Sequence, residues 1–350
     1  MESVDVVIAG GAVMGSSVAY HCLADRAFRG RVLVVERDPT YRRSASALSA
    51  ASIRQQFSTA PEVRLAQASA RFFAELGPPL FEQVGYLFLA TTEEGLAALA
   101  ERRARQVELG VPVEALDPAF VEGLRTDDVL GAFICREDGV ADPTAVTRHL
   151  VAEAVARGAE LREHTDARNL DADVLVVACG AASPELIDVP VRPLVRQLVD
   201  TEAVPGLPQD LPMTIEEETS FHFRRVGDGL RLAMVEPTLR WGTDERVDES
   251  LVAHWLERIA HRYPRAGGVH VSRAWAGLYD MTPDAHPIIG WVEDRVYAAC
   301  GFSGHGFMQA PAVGAAVAEE LMTGKSSFDL SPYRLERFAG EAVFPETLVL

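Results

Sequence analysis

The sequence predicts an α/β protein in which a parallel-sheet unit is interrupted along the chain by a second unit built on an antiparallel sheet. Three observations predict it. A short apolar run at residues 5–10 ends in glycines, leads into helix-like content at 14–27, and is followed by a second apolar run at 31–36. A third apolar run at 173–178, closed by Gly180, has the same character as the first. Between residues 191 and 235 the pattern changes to short alternating segments with turn signals such as Gly227-Asp228-Gly229.

The first observation reads as strand, tight turn, helix, strand, the opening of a parallel sheet. Apolar spacing is then helical at 61–76 and 93–109, with a strand-like piece at 85–90 between them. Residues 143–157 form another helix, entered through Asp142 as N-cap with proline just inside. The run at 173–178 belongs in the first sheet, and the alternating stretch at 191–235 predicts an antiparallel one. Residues 248–263 are helical, 295–299 strand-like, and a glycine-rich turn at 301–306 precedes a last helix at 307–322. The expected division is one discontinuous unit of residues 1–80, 141–190 and 270–350, and a second of 81–140 and 191–269.

Composition narrows the functions open to such a fold. The chain has 350 residues, 48% of them hydrophobic, and a formal net charge of −18 that opposes nucleic acid and anionic membrane surfaces. Cys22, Cys135, Cys179 and Cys300 show no CxxC spacing, so they read as buried thiols of a reducing compartment rather than as disulfides or a metal site. No basic leader or membrane-length apolar stretch is evident, and a cytoplasmic protein is expected.

The first turn carries the chemistry. In Gly10-Gly11-Ala12-Val13-Met14-Gly15, Gly10 permits the sharp turn and Gly15 permits close packing of helix on strand. The helix N-terminus is then aimed at a pyrophosphate. Ala12 replaces the usual second glycine at some cost in clearance. Glu36, ending the second strand, can accept hydrogen bonds from adenosine ribose hydroxyls and disfavours a 2′-phosphate. The reading is a Rossmann-like dinucleotide-binding domain holding FAD or NAD.

Further segments resemble the D-amino acid oxidase and sarcosine oxidase superfamily of flavoenzymes across most of the chain. They are GGAVMGSSVAYH, ERDP followed by SASALSAASIRQQFS, then ADP at 141–143, VVACGAAS, TPDAHPIIG and GFSGHGF. The resemblance implies a Rossmann-like FAD-binding domain with an interleaved antiparallel-sheet substrate domain, and FAD as cofactor. It places cofactor contact on Gly10, Gly11, Ala12, Val13, Met14, Gly15, Glu36 and Arg37, on Ser46, Leu48, Ser49 and Ala50, and on Gly180 and Gly277. Near the C-terminus it adds Gly301, Ser303, Gly304, His305, Gly306, Phe307 and Met308, a turn and helix start lying against the flavin ring. Arg54 matches an arginine that grips a substrate carboxylate, a role suited to a planar guanidinium. His222 matches a cavity-facing position, and Tyr279 a cavity-lining one.

The departures from those relatives are informative. The cysteine that attaches flavin in sarcosine oxidases falls on Gly277, two residues before Tyr279, so FAD is expected to be noncovalent. A second carboxylate-binding lysine falls on Met308, and the lysine that assists reaction with oxygen falls near Arg231. The connection at 161–173 is shorter than the family's hairpin, which would expose the adenine end. The expected activity is oxidation of a small amine or amino acid by hydride transfer to flavin N5, giving an imine. Oxidation of a 2-hydroxy acid and a noncatalytic FAD-binding assembly role stay open beside it, and a nicotinamide dehydrogenase leaves GFSGHGF unexplained.

Overall fold

The structure is a computed structural model describing residues 4–25, 28–167, 170, 172–340 and 345–346. It divides into two compact units: Met1–Ala51, Asp142–Leu194 and Leu278–Val349 in one, Ser52–Ala141 and Val195–Gly277 in the other. The chain thus leaves the first unit at residue 52, not 81. The reason is strand pairing: Ser52–Ile53 and Phe81–Glu82 flank Gly139–Ala141 as antiparallel neighbours, which draws residues 52–82 into the second unit. Likewise Val271–Met281 pairs with Arg192–Thr201, so residues up to 277 stay with that sheet.

In the first unit, the described residues form a six-stranded sheet in the order Ile288–Glu293, Val296–Cys300, Ala172–Val177, Val4–Ala9, Val32–Glu36, Glu160–Glu163. All neighbours are parallel except the first pair. Continuous apolar runs suit strands covered on both faces, and Val7, Leu33 and Val35 are buried against Ala172 and Leu175. The helices Val13–Ala24, Pro143–Ala156 and Gly306–Thr323 belong to this unit. Asp142 caps the second of them through its side chain, accepting from the N–H groups of Thr144 and Ala145 at 2.9 Å each, as expected. Ala27, the expected end of the first helix, and the middle of the 161–173 connection lie outside the described residues.

The second unit carries a nine-stranded sheet among the described residues. Its pairings are antiparallel where 191–235 predicted them, with one exception: Met213–Glu216 runs parallel to Tyr86–Ala90. Alternation in His222–Val226 sorts side chains by face. Phe221 and Phe223 enter a core with Leu87, Leu89, Ile134, Leu232 and Trp255 from the helix Glu249–Arg262, whereas His222 and Arg224 stand on the other face. Burial of each such phenylalanine contributes about 1.5–3 kcal/mol. Among the described residues, no helix is long and apolar enough to cross a membrane.

Candidate active site

In the first unit the predicted phosphate turn joins Val4–Ala9 to Val13–Ala24. Gly10 has φ +93°, and a Cβ there would lie 2.5 Å from the carbonyl oxygen of Ala178, so only glycine fits between adjacent strands. A Cβ on Gly15 would collide with the Gly10 carbonyl, which is the close helix–strand approach expected of it. The Gly11 N–H donates to Glu36 Oε2 at 2.7 Å, and the Asp38 N–H to Glu36 Oε1 at 2.8 Å. Glu36 is thereby fixed at the end of its strand with oxygen lone pairs left to accept ribose hydroxyls. Ala12 caps the helix without any side-chain bond, and its first turn has no acidic residue; the last helix, entered at His305, shares both features. Helices entered at Thr92, Asp142 and Asp248 have their first N–H groups taken by side chains, and the one entered at Thr59, also without a side-chain cap, carries Glu62 in its first turn. The two helix starts expected at the cofactor are therefore suited to a diphosphate and to an electron-rich ring edge.

The loop at 44–51 is folded by its own serines. Ser44 Oγ donates to the Tyr41 carbonyl (2.8 Å) and accepts from Ala47 N–H (3.1 Å); Ser49 Oγ donates to the Ser46 carbonyl (2.7 Å) and accepts from Ala51 N–H (3.2 Å). Such local bonds hold an irregular backbone without bulky side chains. Ser46, Leu48 and Ala50 are half-buried. Arg37 is exposed and pairs at 3.5 Å with Glu185. Gly180 opens a short helical turn with φ +54°.

The C-terminal turn is built against the end of the strand Val271–Met281. Gly304 has φ +93° and packs its Cα on Tyr279, whose ring carbon would be 2.6 Å from any Cβ. Asp280, missed from the sequence, accepts from the Gly301 N–H at 2.8 Å through Oδ2, while its carbonyl accepts from Ser303 N–H at 3.2 Å. Burial pushes its carboxyl up to about 6, against the pull of these backbone donors. Ser303 Oγ accepts from Thr282 N–H at 3.2 Å, and Arg337 grips Asp284 in two bonds of 2.7 and 3.0 Å. TPDAHP is thus the buttress of the glycine-rich turn. Met308 sits half-buried in the first turn of the last helix, and Phe307 and His305 are buried.

In the second unit, Arg54 is 1% exposed. Its Nη1 donates to the Gln56 carbonyl, and its guanidinium lies 4.1 Å from the centre of the Phe57 ring. His222 is buried and donates from Nδ1 to the Ser220 carbonyl at 2.8 Å. Burial above all, then the charges of Arg54 and Arg196, pull it down to about 4, so it is neutral at physiological pH with Nε2 as an acceptor. Arg224 shares its face of the strand and Arg196 supplies part of the field it senses. The sequence carried a signal for Arg224, which keeps the period-two polar spacing of His222, but none for Arg196, whose strand also holds Arg192 and Asp200. Arg231 lies opposite Arg224 but is committed elsewhere, with two bonds of 2.8 and 2.9 Å to Asp200 and its guanidinium 4.8 Å from the Trp275 ring centre. Its charge is matched by a carboxylate. Gly277 is buried in this unit.

The profile of the family described as FAD dependent oxidoreductase (DAO) matches residues 5–320. The chain belongs to that family. FAD is accordingly the cofactor of this DAO protein, and the starts of its first and last helices, uncapped and without acidic residues, and the Glu36 carboxylate fit it. The chain is 31% identical over 415 residues to FAD-dependent oxidoreductase domain-containing protein 1 of Bos taurus, covering 96% of this chain and 85% of the relative. It is 27% identical to the glycine oxidase of Geobacillus kaustophilus, covering 96% and 98%. Among solved structures it resembles the L-proline dehydrogenase of P. horikoshii at 26% identity and a TM-score of 0.87, covering 98% of this DAO chain and 100% of that one.

Proposed function

We propose that this DAO protein oxidises a small amine or amino acid at the carbon next to nitrogen, with FAD bound noncovalently by the first unit. The observation that carries the reading is Arg54: a fully buried guanidinium, immobilised by a carbonyl and an aromatic face, beside a histidine kept neutral. A cation held in this way is organised for a carboxylate, and an amino acid brings one. Glycine oxidase and L-proline dehydrogenase, both similar to this chain, act on such compounds by name.

When bound, FAD supplies the two-electron acceptor: the C–H bond next to nitrogen breaks, hydride leaves with both electrons, and the resulting imine is hydrolysed by water. The chain's own residues bind and orient. Arg54 fixes the carboxylate end of the substrate, which positions the carbon beside it. His222, uncharged, offers Nε2 as a hydrogen-bond acceptor to the N–H of a neutral amine. The turn at 301–306 and the start of the last helix present backbone N–H groups, which favour negative charge developing on the ring. Gly277 stands where the covalent link of some relatives would need a thiol.

The test is anaerobic mixing of the purified yellow protein with sarcosine, glycine, and D- and L-proline. Bleaching of the flavin band at roughly 450 nm by at least one of them is expected. No bleaching by any amine, with bleaching by a 2-hydroxy acid instead, would overturn the reading.

A further inference from the structure

Asp138 is a buried carboxyl group that the proposed chemistry leaves unused. It lies in the turn between Gly131–Cys135 and Gly139–Ala141 and is 0% exposed. Its Oδ1 accepts from the backbone N–H of Gln55 at 3.0 Å and from Gln55 Nε2 at 3.1 Å, and its Oδ2 accepts from Gln56 Nε2 at 3.2 Å. Gln56 Nε2 also donates to the Tyr86 carbonyl at 3.0 Å. The turn holding Asp138 is anchored in its own right, since the Asp138 carbonyl accepts from Gly85 N–H at 2.9 Å. Gln56 in turn gives its carbonyl to Arg54 Nη1, and the Phe57 carbonyl accepts from Gln106 Nε2 at 3.0 Å. Gln55, Gln56 and Phe57 are thus tied to the turn at 136–138, to the strand Tyr86–Ala90 and to the helix Glu93–Glu108, and the central partner is a carboxylate 82 residues from Gln56.

A buried carboxylate is costly to keep, and burial pushes this one up to about 7 despite its three donors. A structural turn alone has no need of it. What the carboxylate does supply is a geometry: two oxygens at fixed positions set both glutamine side chains and the backbone between them. We propose that Asp138 is the positioning residue for Arg54, locking Gln55 and Gln56 and thereby fixing the segment from which the guanidinium is presented. The inference rests on the reading of Arg54 as a carboxylate clamp.

The experiment is a titration of the holoenzyme with methoxyacetate, the ether analogue of sarcosine, followed through the flavin absorption spectrum. It compares wild type, Asp138→Asn, Arg54→Met and the double variant, with FAD content and Tm measured alongside. The asparagine keeps the size of the side chain but turns a donor toward Gln56. We expect binding about tenfold weaker with FAD content retained, and no further loss when Asp138→Asn is added to Arg54→Met, because a residue acting through Arg54 has nothing left to position. Binding within about twofold of wild type overturns the proposal, as does an equal loss with and without Arg54. If Asp138→Asn fails to fold, Gln55→Met, which removes one of the three donors from the other side, takes its place with the same expectation. A wild-type spectrum indifferent to methoxyacetate and to sarcosine removes the clamp reading itself, and this proposal with it. A response that Arg54→Met abolishes and Asp138→Asn leaves intact removes the positioning role alone.

Discussion

The Asp280 carboxylate accepts a 2.8 Å hydrogen bond from the backbone N–H of Gly301, so the shape of the glycine-rich turn is set by a residue 21 positions away on the strand Val271–Met281. Replacing Asp280 with alanine leaves that N–H without its acceptor and loosens the turn. Hydrogen bonds to a charged group are worth about 1.5–3 kcal/mol, so FAD binding should weaken by about tenfold or more, with Asp280→Asn in between. Fluorescence titration of apoprotein with FAD measures it, and an unchanged Kd in the alanine variant contradicts it.

Gly304 leaves no room for a side chain: φ is +93° and Tyr279 occupies the space. Gly304→Ala should cost about 1–3 kcal/mol in urea unfolding, from backbone strain and ring displacement together. Adding Tyr279→Ala should recover the second part only. Full recovery, or none, would show that one of the two terms is missing.

His222 has a folded pKa of about 4 against an unperturbed 6.5, so the unfolded chain holds the extra proton between those values. Its contribution to stability is complete above pH 6.5 and is lost as pH falls toward 4. Relative to wild type, His222→Phe should flatten the decline of Tm on acidification in that window. In the active enzyme, kcat/KM should show no limb assignable to His222 between pH 6 and 8; its appearance there would mean the imidazole titrates near neutrality.

Gly314 faces Ser17 across two packed helices, and a Cβ on it would lie 2.8 Å from the Ser17 backbone carbonyl carbon. Gly314→Ala should therefore destabilise the first unit by about 1–3 kcal/mol, read as a lower Tm at full FAD occupancy. A neutral effect would require the helices to separate freely.

Described cysteines Cys22, Cys135, Cys179 and Cys300 are all free thiols, and residue 277 is glycine. Acid precipitation of the yellow holoprotein should leave the flavin in the supernatant. Colour retained in the washed pellet would reveal a covalent bond.

Much of this was legible in the chain because the signals are local. A strand, Gly10 to Gly15 and a helix are consecutive, so the turn's steric demand is written in six adjacent residues. The serine-rich loop at 44–51 folds through bonds spanning two or three residues, which is why small polar residues there already implied close backbone approach. Alternation likewise predicted the antiparallel strands between 191 and 235.

Alternation names a face but not a partner, and here tertiary structure decided the outcome. Nothing near Arg231 in the chain announces Asp200, whose two bonds take up the charge expected to serve elsewhere. Residues 52–80 read as part of the first unit until Gly139–Ala141 is seen between Ser52–Ile53 and Phe81–Glu82. Asp138 and Asp280 sit among ordinary turn and strand residues and acquire meaning only from the N–H groups that converge on them from 82, 83 and 21 positions away. The sequence by itself determined the local devices, the phosphate turn, the capped helices and the two kinds of sheet, because torsional and steric preferences act between neighbours. Burial and long-range hydrogen bonding belong to the folded chain as a whole, and they alone decided that Arg231 meets Asp200 and that Asp138 meets Gln55 and Gln56.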